Sequence, residues 1–443
     1  PQSYGEYALV LTGVGLVYVV LYQWLKLGIL RHYPAYQQDD RKFLVSIFTA
    51  YALISLAAVA GGAFSLIFID EPKVSLLVGV SAAILLVHAF HQLNLELTRI
   101  KVKPNEYAFY GLLKSTLGLL LGALFIWLGL DVFGVLGGLL LALIITAVVG
   151  FNRQWYKPTK KSVDRGIIRE QLRYGLPLTA VFALTFIISG SDRIIIGWLM
   201  DVEAAGLYSA GYDITNQSLG IIMVILNLAA YPLVIRTLEK QGEEKAKKVM
   251  SSVFTLLLAV ALPCSVGFAI LAEPLAEVFL GEKFRETAVQ LIPIVAAATL
   301  LSGMKSYYFD LGFQLGKKTQ KQIWSVLFAA LLNIVLNILL IPRYGMIGAA
   351  YATFVAYALA LYISYLLGKS IFKVPVSVIE ILKVVLATLA MAGIVYYMPN
   401  NGGALWRIFS AVAAGGVVSF CLILLLNVAD SRIYISQLIN RNL

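Results

Sequence analysis

Long apolar runs broken by short polar stretches set the pattern of this chain. Windows of about 20 apolar residues recur at 7–30, 43–69, 74–97, 107–129, 132–151, 174–199, 206–235, 249–271, 286–312, 322–341, 346–367, 378–398 and 403–428. Each is long enough to cross a hydrocarbon core of about 30 Å as a helix. A bilayer leaves backbone groups nothing to bond, so the runs are expected to be helices. The pattern therefore predicts an all-α polytopic membrane protein with about 13 transmembrane helices.

The polar connections alternate in character. One set is basic, with Arg31, Arg41 and Lys42; Arg99, Lys101 and Lys103; the stretch from Arg153 to Arg173; Arg236 to Lys248; Lys317, Lys318 and Lys321; Lys369, Lys373 and Lys383; and Arg432 and Arg441. The other set holds only Lys73, Lys283, Arg285, Arg343 and Arg407. The positive-inside rule makes the basic set cytoplasmic, which places Pro1 outside and the C-terminus inside. A cytoplasmic start would need one more span, so the natural protein is expected to have about 14 helices, with the first missing here.

Two short segments repeat. Tyr4-Gly5-Glu6-Tyr7-Ala8 opens the first span and Ala205-Gly206-Leu207-Tyr208-Ser209 the seventh; Phe133-Gly134-Val135-Leu136-Gly137 opens the fifth and Tyr344-Gly345-Met346-Ile347-Gly348 the eleventh. Both pairs are six spans apart, an even number, so the halves share one orientation and form parallel repeats. The chain reads as an N-terminal lobe at 1–151 lacking its first helix, a basic amphipathic linker at 152–173, a C-terminal lobe at 174–367 and an extra helix pair at 368–443. Val163, Ile167, Ile168 and Leu172 give the linker a helical apolar stripe suited to a membrane interface; the plainer reading is a solvated loop.

Composition narrows the class further. The chain is 60% hydrophobic and 13% charged, with a mean hydropathy of +0.84, where soluble domains are about 25% charged. A formal charge of +11 spread over membrane loops points to anionic lipid rather than nucleic acid. Cys264 and Cys421 make neither a disulfide framework nor a metal spacing. No phosphate loop with the required spacing and no nucleotide-binding domain is present, and no connection has room for an external catalytic domain. The reading is of a non-enzymatic protein without a cofactor.

Charge inside the spans carries the functional signal, since an ionised group at bilayer depth costs roughly 2.5–3.5 kcal/mol and faces a bundle interior or wet cavity. The stretch 174–238 is central. Asp192 and Arg193 lie in its first run, and Asp213, Asn216, Gln217, Gly220 and Asn227 share one face of its second. Arg193 and Asp213 fall at similar depth on either side of the turn at Asp201, as an ion pair that either lines a polar seam or only locks two helices. Lys305, Lys114 and Lys26 are the other intramembrane cations; for each the plainer alternative is snorkelling. Asp310 joins Asp192 and Asp213 as a carboxylate that could take a coupling proton or sodium ion. Asn333 and Asn337 line a cavity or bond a neighbouring helix. Tyr22, Trp24, Tyr208, Tyr212, Tyr307 and Tyr308 could stack on sugars, against the plainer reading of interfacial aromatics. His88, His91, Gln92 and Glu96 make the third span's basic end polar; the two histidines lack an obvious third metal ligand.

The opening PQSYGEYAL, the stretch YGLPL…SDRIIIGWL…EAAGLYSAGY and the segment IPRYGMIGAAYAT together resemble the O-antigen-type polysaccharide flippases of the multidrug/oligosaccharidyl-lipid/polysaccharide superfamily. The resemblance covers nearly the whole chain. It implies two six-helix lobes around a central cavity with two extra C-terminal helices. It also implies movement of undecaprenyl-pyrophosphate glycans from the cytoplasmic to the periplasmic leaflet of a bacterial or archaeal membrane, with polysaccharide polymerase and assembly proteins as partners. Asp192 matches the acid that follows the YGLPL segment. A pyrophosphate calls for fixed cations in a low dielectric, so Arg193, Lys305, Lys114 and Lys26 are expected to bind it. Asp192, Asp213 and Asp310 would orient or couple, and Asn216, Gln217, Asn227, Asn333, Asn337 and Tyr308 would line the path. A multidrug cation antiporter of the same superfamily, a peptidoglycan-precursor flippase, an enzyme and a non-transporting scaffold are the alternatives. The first would have a cavity dominated by carboxylates.

Overall fold

The apolar runs fold as helices, and no β-strand occurs among the described residues. The computed structural model describes residues 1–101, 103–151, 163–316, 318–398 and 402–428. In chain order these form α1 (Gln2–His32), α2 (Asp40–Ser65), α3 (Pro72–Ile100), α4 (Pro104–Trp127), α5 (Asp131–Val149), α6 (Arg165–Leu199), α7 (Val202–Gln241), α8 (Glu243–Ile270), α9 (Ala272–Phe279), α10 (Glu282–Met304), α11 (Leu311–Leu315), α12 (Gln322–Lys369), α13 (Val378–Tyr396) and α14 (Ala404–Leu425). A π-helical turn, Lys305–Phe309, joins α10 to α11.

Local chemistry sets the starts. Proline opens α3 and α4, where its missing N–H costs nothing. The Asp201 carboxylate accepts the Ala204 N–H at 2.7 Å to cap α7, and Ser377 caps α13 by accepting the Glu380 N–H at 3.3 Å, in an S-x-x-E arrangement. Gly242, at φ 84°, turns the chain from α7 into α8, a conformation glycine adopts without strain.

Twelve helices among the described residues are long and apolar enough to cross a membrane. One of them, at Thr319–Lys369, holds both of the spans expected at 322–341 and 346–367. Its two arms meet at Gly345, whose φ of 59° and ψ of −143° break the helix. The arms pack on each other so closely that a Cβ on Gly348 would lie 2.5 Å from the Leu340 carbonyl oxygen. Leu119, Leu56, Phe64 and Val148 are among many large apolar side chains left exposed, as lipid-facing surfaces require.

The chain forms two compact units, Gln2–Ile194 and Ile195–Leu443, the latter with Pro1. In the first unit, Tyr22, Leu25 and Ile29 of α1, Phe43 and Ile47 of α2, Leu93 and Leu97 of α3, and Leu136 of α5 make the buried core. Small residues bring α4 and α5 close, with a Cβ on Gly138 falling 2.4 Å from the Gly122 nitrogen. α6 runs antiparallel along α1: Gly28 faces Gln171, Gly175 faces Trp24, Gly15 faces Phe186 and Gly190 faces Thr12. Residues 152–162 of the expected linker lie outside the described residues. Arg165–Arg173 are the first turns of α6, continuous with its apolar run, and Ile167 is buried in the core. In the second unit, Met223, Val234, Met250, Phe254 and Tyr308 form the main core. There α7 meets α10 where Gly211 abuts Ala288 and Gly303 abuts Met223.

Candidate functional site: two polar clusters

Each unit gathers ionisable side chains near the basic ends of its helices. In the first unit, α1 and α3 run to such an end together. Lys26 Nζ lies 3.4 Å from Glu96 Oε1 and donates to Gln92 Oε1 at 3.3 Å. Arg99 Nη1 lies 3.6 Å from Glu96 Oε2. Gln92, Glu96 and Arg99 are three to seven residues apart, so the helical period puts them on one face of α3. The Glu96 side chain is 3% exposed, Lys26 27% and Arg99 56%. One sealed carboxylate thus holds two cations that reach solvent, and the cluster keeps a positive excess.

Aromatic and imidazole groups continue this face inward. His88 packs edge-on to Tyr18 at 4.9 Å, Tyr18 stacks with Tyr22, and the Tyr22 hydroxyl is 3.0 Å from Ser55 Oγ. His91 is buried, and its Nε2 has no hydrogen-bond partner. Around α3, Leu86, Val87 and Phe90 instead line an apolar side groove of about 420 Å³ with Tyr51 of α2 and Ile144, Ala147, Val148 and Phe151 from α5 and its end.

In the second unit, the π turn builds a different arrangement. Residues five apart on an α-helix point about 140° away from each other. The π turn closes a bond from the Asp310 N–H to the Lys305 carbonyl at 2.9 Å and swings the two side chains together. Lys305 Nζ then donates to Asp310 Oδ2 at 2.6 Å. Asp310 also accepts from Gln322 Nε2 at 2.7 Å and from Ser364 Oγ at 2.9 Å. Lys305 and Asp310 are 6% and 2% exposed. Below them the Tyr308 hydroxyl donates to the Pro375 carbonyl, with its ring against Phe254. The charge of Lys305 is balanced inside the unit and shielded from water.

The remaining expected residues lie on several helices. Asp192 is fully buried on α6, beside a half-buried Arg193. Asp213 is half-buried on α7, and Lys114 is half-buried on α4. Asn216 accepts from Thr299 Oγ1 at 3.2 Å, tying α7 to α10. Gln217 is exposed and Asn227 half-buried. Asn333 Nδ2 donates to Thr353 Oγ1 at 3.2 Å and Asn337 Nδ2 to Asn333 Oδ1 at 3.2 Å, so these asparagines stitch the two arms of α12. Tyr22, Trp24, Tyr208 and Tyr308 are buried among other side chains.

Sequence reasoning missed Arg99, Gln322 and Ser364 as members of the clusters. The first was legible as the next turn of the Gln92–Glu96 face. The other two join Asp310 through the fold and leave no mark in sequence spacing.

Long lipid-facing helices with buried, paired charge near one end define a multi-pass membrane protein. Its fold matches a solved inward closed conformation of the lipid II flippase MurJ at a TM-score of 0.76 and 15% identity, covering 99% of this chain and 93% of that one. It also matches an inward-facing multidrug resistance MATE family transporter of the MOP superfamily at 0.69 and 14% identity, covering 83% and 89%. Residues 1–289 match the polysaccharide biosynthesis protein family model, and the chain belongs to that family. Relatives include the probable low-salt glycan biosynthesis flippase Agl15 of Haloferax volcanii, 22% identical over 75% of this chain and 70% of that protein. The amylovoran biosynthesis protein AmsL of Erwinia amylovora is 24% identical over 44% and 49%.

Proposed function

We propose that this protein is a flippase for lipid-linked oligosaccharides in cell-surface glycan synthesis. It carries a polyisoprenyl-pyrophosphate glycan from the cytoplasmic to the outer leaflet of a bacterial or archaeal cytoplasmic membrane by alternating access, without catalysing a covalent step. The family and the named relatives support the cargo class. The observation that carries the site is the Lys26–Gln92–Glu96–Arg99 cluster, with two solvent-reaching cations on one sealed carboxylate.

That stoichiometry suits a head group that must bind and leave. A buried carboxylate stripped of its partners is costly. With two bases on Glu96, one can turn to a phosphate oxygen while the other holds the carboxylate. Phosphate gains charge-assisted hydrogen bonds, and Glu96 is never stranded. Arg193 and Lys114 would extend the cationic path. Asp192 and Asp213 are the carboxylates for a coupling proton or sodium ion, while Asp310 stays closed in its pair with Lys305. The positive-inside rule puts the basic ends, and the C-terminus, in the cytoplasm; residues 429–443 lie outside the described residues. Glycan polymerase and assembly proteins would receive the product.

The test is reconstitution in vesicles with a fluorescent polyisoprenyl-pyrophosphate oligosaccharide whose outer-leaflet fraction is read by a membrane-impermeant quencher. Protein-dependent loss of protected signal is expected. Absence of that loss, with a folded and inserted protein, overturns the reading. Activity confined to the peptidoglycan precursor would move the cargo to that class.

A further inference from the structure

Between Asp310 and Glu380 the chain contains no acidic residue, yet two of its basic connections fold against each other in this interval. A Cβ on Gly316 would fall 2.3 Å from the Ile371 side chain, and one on Gly312 would fall 3.0 Å from Val374 and 3.3 Å from the Phe372 carbonyl oxygen. The segment after α12 thus lies across α11 in direct backbone contact, held further by the Tyr308–Pro375 bond. Lys318 and Lys321 flank one side of this contact and Lys369 and Lys373 the other, all four exposed. None of the four is ion-paired among the described residues.

Apolar surface adjoins these charges. Trp324 and Phe328 stack on the first turns of α12 and are 52% and 49% exposed. Tyr362 and Leu366 near the end of α12, and Val378, Ile379 and Leu382 of α13, are also exposed. Basic groups at a helix end above a lipid-facing apolar surface attract anionic head groups, at roughly 1 kcal/mol per lysine. The surrounding loops are pinned, so the lysines do not have to be gathered on binding.

We infer that Lys318, Lys321, Lys369 and Lys373 form a clamp for an anionic membrane phospholipid, whose chains lie along Trp324, Phe328 and the exposed face of α13. The occupant is a bilayer lipid rather than the transported molecule, because the four lysines are exposed and lie close in sequence to the exposed apolar side chains of α12 and α13. This inference is independent of the transport reading.

The test uses a variant retaining Trp324 as its sole tryptophan, reconstituted in vesicles of phosphatidylcholine and phosphatidylglycerol with bromine on the chains of one or the other. Brominated phosphatidylglycerol should quench Trp324 about threefold more than its bulk share predicts, given the strength of such head-group attraction. Added salt, and the combined variant Lys318→Gln, Lys321→Gln, Lys369→Gln and Lys373→Gln with an unchanged melting temperature, should abolish the excess. Equal quenching by the two lipids in the otherwise native protein overturns the clamp. Displacement of phosphatidylglycerol by an equimolar polyisoprenyl pyrophosphate overturns the assignment to a bilayer lipid and gives the site to the cargo. Should the four-lysine variant fail to fold, the brominated-lipid comparison and its salt dependence decide the matter alone.

Discussion

Glu96 and Asp310 are both carboxylates sealed near the basic end of the third long helix in their half of the chain, and their surroundings differ. Glu96 is met by two cations that extend into solvent. Asp310 is met by one buried lysine and two neutral donors. The first arrangement tolerates exchange of a partner. The second does not, because Lys305 and Ser364 are buried and the charges already cancel. Similar residue types thus give an open cluster, which we propose receives an anion, and a closed pair that holds the fold.

The largest effect should come from breaking the sealed pair. Asp310→Ala leaves Lys305 buried without its counter-charge and should cost about 3–5 kcal/mol, read as a fall in melting temperature. The double change Lys305→Met with Asp310→Leu should recover most of it. Glu96→Ala should cost only about 1 kcal/mol, since its partners already reach water. Equal losses at the two sites would erase the distinction.

Transport should separate the clusters next. Lys26→Gln with Arg99→Gln is expected to slow glycan translocation by about tenfold, the loss of a charge-assisted contact to phosphate, with melting nearly unchanged. Lys305→Gln should instead lower the folded yield.

Within the sealed network, Ser364→Ala removes one donor to Asp310 and should cost about 1 kcal/mol. Gln92→Ala, in the open cluster, should change stability by less than about 0.5 kcal/mol.

The smallest effect lies at the start of α6. Asp164 contacts Lys42 at 2.8 Å and accepts the Gly166 N–H at 2.7 Å, while its own N–H donates to Ser46 Oγ at 2.9 Å. Lys42 beside it, and then the Gly166 N–H, hold its carboxyl below the usual carboxylate range. Its contribution is therefore present above the unfolded value near pH 4 and lost as pH falls through the lower, folded value. Asp164→Asn should flatten a slight decline in melting temperature below pH 4. An unaltered decline would show that this contact is not linked to folding.

The helices were legible because burial in lipid leaves little choice: apolar runs of about 20 residues become spans. The merging of two runs into α12 was less legible, since Gly345 supplies a bend that composition alone does not distinguish from a loop. At the sites, Lys305, Asp310 and Lys26 stood out as charges in apolar surroundings, and Glu96 as part of a polar helix end. Their pairings did not. Lys26 and Glu96 are brought together by α1 meeting α3, and Lys305 with Asp310 by a π turn that an α-helical reading places on different faces. The asparagines of α12 showed the same limit: Asn333 and Asn337 were visible as one face, while Thr353 on the other arm became their partner only through the fold.

The open cluster's proposed role is to receive the pyrophosphate. Its most direct test is equilibrium binding of a short-chain polyisoprenyl pyrophosphate to the purified protein and to its Lys26→Gln, Arg99→Gln variant, at fixed ionic strength. Binding at least about tenfold weaker in the variant, a loss of about 1.4 kcal/mol, is the predicted result. Equal binding by a variant that melts like the native protein would contradict the claim.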